Sequence, residues 1–416
     1  MSNTLITPAW ITKTTLAHLV NNSAFLGNVN TDYVDQFRVA GAKVGTSITV
    51  RKPVQGTVRS GAVANVQDVN ESNSFTITME PEFGIDWAFT DFDLTLKVDK
   101  FEERYLVPYG SRLAAELDLR IAQRLYRQVY NFTGTPGTPP ATADAGLAAN
   151  EKLDNNACPR GDIRRFAITP KANRTLVGGL AGFFNNQQII GEQYKTGMVK
   201  NGLGFDPTMS QNMPTHTVGG LGGTPLVNGA NQGTINTGAT DNPFAATTAL
   251  ITDGWTAAAA NRLRQGDVFT IQGVFAVQPI TKQVLPDLQQ FVVTADVASD
   301  AGGNATVTIS PAIIAGGAYQ NVSARPADNA ALTIVTGAAN TGYLQNILYH
   351  KDALSLVTIP MDVPNGMDMA DVADHEGVSL RFVRGFDISN NQRICRFDIL
   401  AGYGVGRPEW ACRVPN

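Results

Sequence analysis

Leu113, Leu117, Ile121, Leu125 and Val129 stand four residues apart in a stretch whose other positions include Arg112, Glu116, Arg120, Arg124 and Arg127. Successive i, i+4 apolar positions make one continuous stripe on a helix and leave the charges elsewhere on its surface. Asn131 and Gly134 end the pattern, and Thr135-Pro136-Gly137-Thr138-Pro139-Pro140 cannot continue a helix. The spacing therefore predicts one long helix over 109–131. Asp99 and Glu102 have the form of a capping box ahead of it, with Pro108 interrupting that turn.

The chain is patterned differently on the two sides of this helix. Thr7-Pro8 suits a helix start, and Ile11, Leu16, Leu19 and Val20 give an apolar stripe that ends near Asn21-Asn22. This is an amphipathic helix, either a projecting arm or an ordinary core helix. Residues 47–54 and 74–79 alternate between apolar and polar, with Ile48, Val50, Phe75, Ile77 and Met79 on the apolar side. They flank a polar, glycine-containing stretch from Gln55 to Ser72, which predicts a long two-stranded excursion. A lone hairpin is marginal in water, so it needs a partner surface, and nothing local supplies one. Downstream of the helix, 141–156 has helical character and Arg165 to Ile168 a buried-strand character. Pro170 opens another helix toward Leu180 and Phe184. That alternation is an α/β signal, too short for a full doubly wound sheet.

From about Thr215 to Asn346 the charges thin, and Gly, Ala, Thr, Asn and Val dominate. Strands are predicted at Asp267–Ile271, Val274–Val277, Gln290–Val297 and Ala305–Ile309, with turns at Gly302-Gly303-Asn304 and Gly316-Gly317. The pattern suggests a small β-barrel or sandwich inserted into an α/β framework. Its candidate core is Val268, Phe269, Ile271, Val274, Phe275, Val277, Phe291, Val292, Val293, Val307 and Ile309. Gly219-Gly220-Leu221-Gly222-Gly223 serves as a flexible junction, and no Lys-Ser/Thr follows it as phosphate binding would need. Strands at 378–384 and 393–400 close the chain.

Composition narrows the chemistry. A chain of 416 residues suggests two to three domains. The net charge is −4 and no stretch is strongly basic, which argues against tight, salt-dependent nucleic-acid binding. Cys158, Cys395 and Cys412 lack metal-type spacing and read as free thiols in a reducing compartment. No export signal precedes Thr7, and no run of 18 apolar residues exists. His18, His216, His350 and His375 are far apart, each a lone polar contact rather than a ligand. Asp91-Phe92-Asp93 has the form of a metal-binding pair, but two carboxylates on one solvated strand face explain it as well. G-x-S-x-G is absent.

Several stretches, taken in order, resemble one known family. The first is Asp32-Tyr33-Val34-Asp35-Gln36-Phe37, followed by Gly41-Ala42-Lys43-Val44-Gly45 and Ile48-Thr49-Val50-Arg51-Lys52-Pro53. Later ones include Thr215-His216-Thr217-Val218-Gly219-Gly220, Thr252-Asp253-Gly254-Trp255-Thr256 and Gly266-Asp267-Val268-Phe269-Thr270-Ile271. Leu288 to Val297, Ser310-Pro311-Ala312-Ile313, Pro326 to Ala331 and His350-Lys351-Asp352-Ala353 continue the series. The set is collinear over nearly the whole chain and is similar to the major coat proteins of short-tailed phages of the Salmonella phage P22 type.

The resemblance implies an α+β, Hong Kong 97-like capsid fold with an inserted β-barrel domain. It divides the chain into an N-terminal arm (1–46), an E-loop (47–80) and a peripheral domain with the spine helix (81–135). An axial domain follows (136–215 and 346–380), interrupted by the inserted barrel (216–345), and 381–416 gives the closing strands of the peripheral domain. The implied function is a major capsid protein that self-assembles into an icosahedral shell of hexamers and pentamers around double-stranded DNA. The sparse charge, 16% against roughly 25% in typical soluble domains, suits a surface covered by other subunits. No enzyme activity, cofactor or membrane contact is expected.

Expected partners are a scaffolding protein, a portal protein and DNA held by weak non-specific contact, in the virion and, before that, the bacterial cytoplasm. A separate scaffolding protein is expected because no long helical segment precedes the arm. Candidate contacts between subunits are Arg51, Lys52 and Arg59 on the outgoing side of the E-loop and Asp68, Glu71, Glu80 and Glu82 on its return. The barrel loop at about Asn228 to Ala249 has only Asp241 as a charge, which leaves an ionic role for that loop in doubt. Two alternatives are a β-rich decoration or tail protein recognising a partner through 216–345, and a carbohydrate-active enzyme using Asp91 and Asp93.

Overall fold

A computed structural model describes residues 8–34, 46–56, 58, 61–63, 73–90, 102–161, 164–180, 204–234, 247–257, 261–375, 377–390 and 392–416. In chain order its elements begin with α1 (Pro8–Asn22), β1 (Ser47–Arg51), β2 (Ser74–Met79), β3 (Phe83–Thr90), α2 (Val107–Tyr126), α3 (Ala143–Asn155), β4 (Arg164–Ile168) and α4 (Pro170–Leu180). Next come β5 (Phe205–Met209), β6 (Thr215–Thr217), β7 (Gly223–Val227), β8 (Thr248–Trp255), β9 (Val268–Val277), β10 (Val284–Val293), β11 (Ala305–Ser310) and β12 (Leu332–Ile334). The chain ends with β13 (Gly342–Tyr349), β14 (Leu354–Thr358), β15 (Met369–His375), β16 (Val378–Asp387), β17 (Gln392–Ile399), β18 (Ala401–Val405) and β19 (Ala411–Pro415). The fold is α+β and forms two compact units. The first comprises Met1–Val50, Phe75–Ala122 and Leu354–Gly406, the second Arg51–Ser74, Gln123–Ala353 and Arg407–Asn416.

The first unit contains two four-stranded sheets, ordered β1-β2-β18-β14 and β15-β16-β17-β3. α1 lies against β15 and β16 and buries Ile11, Leu16 and Leu19. Thr12 and Thr15 are buried beside them, because each hydroxyl donates to the carbonyl four residues back, Pro8 and Ile11 respectively, at 2.9 Å. In β1 and β2 the predicted alternation holds, with Val50 and Ile77 inward and Arg51, Thr76 and Thr78 outward. Nothing local in sequence partners the hairpin, yet its base finds a partner strand elsewhere in the same chain. β2 pairs with β18 through Gly402↔Met79 and Tyr403↔Thr78, and Val50 and Ile77 share a core with Val34 and Val357. Strands so distant in sequence leave no local trace.

α2 opens at Val107 after a π-helical turn over Glu102–Leu106. Pro108 follows closely on that π-helical turn and the helix runs on through it, so the expected interruption takes the form of a change in winding rather than a break. The helix stops at Tyr126, short of Asn131, yet all five stripe residues, Val129 included, are buried. Tyr109 packs on Trp87 at 4.8 Å between ring centroids, and Trp87 on Phe397 of the second sheet at 5.0 Å. Asp118 on α2 is buried and accepts N–H bonds from Ala24 at 2.8 Å and Phe25 at 3.3 Å, and a hydroxyl bond from Ser23. Burial raises its pKa in spite of those donors.

In the second unit, β19-β13-β4-β5 form a sheet with β6 attached to β13. β4 and β5 run parallel from Arg164↔Phe205 to Ile168↔Met209, the connection containing α4. Pro207 is tolerated because β5 stands at the sheet's margin. Leu153 of α3 and Leu176 of α4 cover Phe166, Phe205, Leu348 and Cys412.

The remaining strands of that unit form a six-stranded sheet, β12-β9-β10-β11-β8-β7. A bridge at Leu226↔Ala331, with Val227 N–H donating to Ala330 O at 3.0 Å, joins β7 to the approach to β12 and closes it into a barrel. Leu250, Phe269, Ile271, Phe291, Val293, Val307 and Ile309 fill the interior. Three details differ from the sequence expectation. β9 is one strand rather than two, because Gly273 at φ +80° carries the chain through an irregularity without ending the ladder. β10 begins at Val284 rather than Gln290 and ends at Val293. Pro286 sits within its shifted register, where a missing N–H breaks no regular pairing. Phe275 points outward, and Val268 and Val292 belong to a separate cluster with Tyr130 and Phe132.

Candidate assembly interface

Arg51 closes β1 on its exposed side, and Lys52 follows with its N–H donating to Asn73 O at 2.7 Å across the hairpin. Burial lowers the Lys52 pKa, with Glu409 acting against that shift and Arg407 with it. Beyond Lys52, the Gln55 N–H donates to the Tyr319 hydroxyl at 3.1 Å. A cleft of about 490 Å³ lies here, lined by Gln55, Gly56, Val58, Ile280, Tyr319 and Trp410 among others. Arg407 stacks over the Trp410 ring at 4.2 Å. Val58 itself is 99% exposed and Val54 is exposed as well. An apolar side chain so exposed is costly in isolation and valuable once a neighbour covers it.

The return side is held within its own unit. Glu80 stands 3.7 Å from Arg120, which also binds Glu116 at 2.8 Å and covers the Phe83 ring. Glu82 accepts from Arg396 Nη2 at 2.9 Å and stands 3.8 Å from Arg381. Arg381 in turn donates to the fully buried Asp398 at 2.7 Å. Arg59, Asp68, Glu71 and Asp241 lie outside the described residues, as do Asp91, Asp93, Asp99 and Phe184.

The most concentrated polar arrangement is one the motifs did not point to. Asp267, at the mouth of the barrel just before β9, is fully buried. Its carboxylate accepts from His216 Nε2 at 2.9 Å, Gly219 N–H at 3.0 Å, Arg264 N–H at 2.7 Å and Thr336 Oγ1 at 3.1 Å. His216 is thus no lone contact, and the glycine-rich junction is tied down at its first residue. A side chain at Gly219 would strike the Arg262 carbonyl. Arg413 of β19, also fully buried, donates to Gly266 O at 2.8 Å, and burial pulls its pKa down to about 10. The available signal was an acidic residue opening an apolar strand in a region where charges are sparse.

Residues 85–413 match the family model described as "P22 coat protein - gene protein 5". The chain belongs to the P22 coat protein family. It is a structural subunit, the major capsid protein of a phage, and copies of it make the icosahedral shell of the virion. The coat subunit is 22% identical over 418 residues to the "Major capsid protein" of Acyrthosiphon pisum secondary endosymbiont phage 1, spanning 96% of this chain and 93% of that one. A solved structure from Mycobacterium phage Che8 aligns with 93% of the coat subunit and 88% of its own chain, at 12% identity and a TM-score of 0.46. The CUS-3 coat protein I-domain aligns over 27% of the coat subunit and 96% of its own chain, at 30% identity and a TM-score of 0.20. Among the described residues, no helix is long and apolar enough to cross a membrane.

Proposed function

We propose that the coat subunit closes into hexamers and pentamers around double-stranded DNA, guided by a separate scaffolding protein and joined by a portal protein. The hairpin at 47–80 acts as an E-loop that lies over a neighbouring copy. Residues 216–345 form the inserted domain, 136–215 and 346–380 the axial domain, and 81–135 with 381–416 the peripheral domain. Near-neutral charge over a long chain suits a container that holds DNA without gripping it. The observation that carries the E-loop role is Val58, 99% exposed in the segment beyond a hairpin base that pairs within its own sheet.

Expression of the subunit alone and together with its scaffolding gene, followed by negative-stain microscopy, tests the whole proposal. Closed, uniform shells are expected with scaffolding, and aberrant or fewer shells without it. A stable trimer or monomer under both conditions would overturn it in favour of a decoration or tail role.

A further inference from the structure

The chain leaves the five-stranded sheet for the barrel after β6 and returns to it at β13, and these two strands pair through Tyr343↔His216. Both crossings are also fastened to Asp267. His216 and Gly219 belong to the outgoing segment, Thr336 to the returning one, and Arg264 to the loop leading into β9. One carboxylate therefore adds a shared side-chain anchor to three stretches that backbone bonds also join, among them Gly220 N–H to Asn261 O at 2.7 Å and Asn340 N–H to Gly219 O at 3.1 Å. Since a carboxylate only accepts, the proton of the neutral His216 ring resides on Nε2.

The surroundings of that ring are rich in positive charge. The Tyr126 ring meets it edge-on at 5.8 Å between centroids, and the Arg413 guanidinium lies 5.9 Å from the same Tyr126 ring. Arg413 from β19 and Arg127 from the end of α2 both act electrostatically on His216, and Asp267 is the acidic group facing it. A second proton on the imidazole would thus add a cation to a buried site where Arg413 and Arg127 already act on the ring and Asp267 is the carboxylate that faces it.

We propose that the Asp267 cluster is a proton-operated latch, in which protonation of His216 loosens the two barrel crossings while the barrel itself stays folded. Burial holds the imidazolium form down, and Arg413 and Arg127 act in the same direction against the pull of Asp267. The sign follows from linkage. His216 takes up its proton less readily in the folded chain than in the unfolded one. The latch is therefore at full strength above the unfolded histidine value of about 6.5 and weakens as pH falls through the lower folded value.

Hydrogen exchange on the unassembled, full-length subunit tests this, with rates corrected for the intrinsic effect of pH. Between about pH 7.5 and about pH 5.5, peptides covering 216–223 and 261–267 should lose protection while those covering 268–277 and 284–293 keep theirs. His216→Gln retains an N–H donor toward Asp267 but has no titrating nitrogen, so its junction peptides should be insensitive to pH. The proposal is overturned if wild-type junction protection does not change. Loss spread evenly over the barrel, or the same loss in the glutamine variant, would also sink it. Should that variant not fold, the wild-type protein decides alone: the His216 ring resonance must titrate below the ordinary histidine value, and titration at or above it removes the latch.

Discussion

The side-chain amide of Gln290 grips the backbone of Phe132 from both sides. The Phe132 N–H donates to Gln290 Oε1 at 2.7 Å, and Gln290 Nε2 donates back to the Phe132 carbonyl at 2.8 Å. A barrel side chain thus stands in for a missing strand beside the segment that also bridges Arg413. Gln290→Leu would leave both backbone groups without these partners. It should lower the unfolding free energy by about 1–3 kcal/mol, read from urea denaturation. A loss under about 0.5 kcal/mol would mean that water replaces the amide at little cost.

Leu117 has no exposed surface and occupies the middle of the α2 stripe. Leu117→Ala removes buried methyl groups and leaves a void that close neighbours fill only in part. The expected loss is roughly 2–5 kcal/mol in the same denaturation assay. A value below about half a kcal/mol would show that the site collapses around the smaller residue.

Arg51 and Lys52 stand where the hairpin leaves its sheet, and their joint replacement by alanine separates folding from assembly. The unassembled double variant should melt within a few degrees of wild type, whereas its shells should dissociate at lower temperature or lower salt. Shells of unchanged resistance would remove these two residues from any contact between subunits. Glu82→Gln is the matching control. Its carboxylate is about half exposed and serves Arg396 within the subunit, so it should cost no more than about 1 kcal/mol of subunit stability.

All three cysteines are free and buried, and burial pushes the Cys158 and Cys395 thiols up to about 11 and Cys412 to about 12. The thiolate is the reactive form, so native subunits at about pH 8 should be nearly inert to an aromatic disulfide reagent. Denatured protein should release all three equivalents at once. Rapid labelling of one native thiol would reveal an opening of the strand that carries it.

The sequence made some of these features plain and hid others, for physical reasons. The stripe from Leu113 to Val129 and the alternation around Val50 and Ile77 are local patterns, and local patterns survive in one chain. Pro286 is different. It argues against a strand on propensity, yet the shifted register of β10 gives it a place that only the neighbouring strand defines. Phe275 looks like core by its neighbours in sequence, but the irregularity at Gly273 alters the alternation and turns it outward. Arg413, His216 and Asp267 are far apart in sequence and carry no motif. Their association depends on β6, β13 and β19 meeting, which no window of residues records. At the candidate interface, Glu80 and Glu82 were visible as charges, but their arginine partners within the subunit were not.

The bridge between Leu226 and Ala331 has a consequence for a protein whose shell is built from many copies of one chain. An open six-stranded sheet would present a row of unsatisfied amides and carbonyls to any other copy, and strand addition between copies is fast, strong and hard to reverse. Closure turns those groups inward on one another. Along that seam the barrel then offers a passing copy side chains, whose contacts are weaker and specific to one geometry. Pairings of that kind can form, fail and separate, so a misplaced subunit can leave a growing shell instead of fixing an error into it.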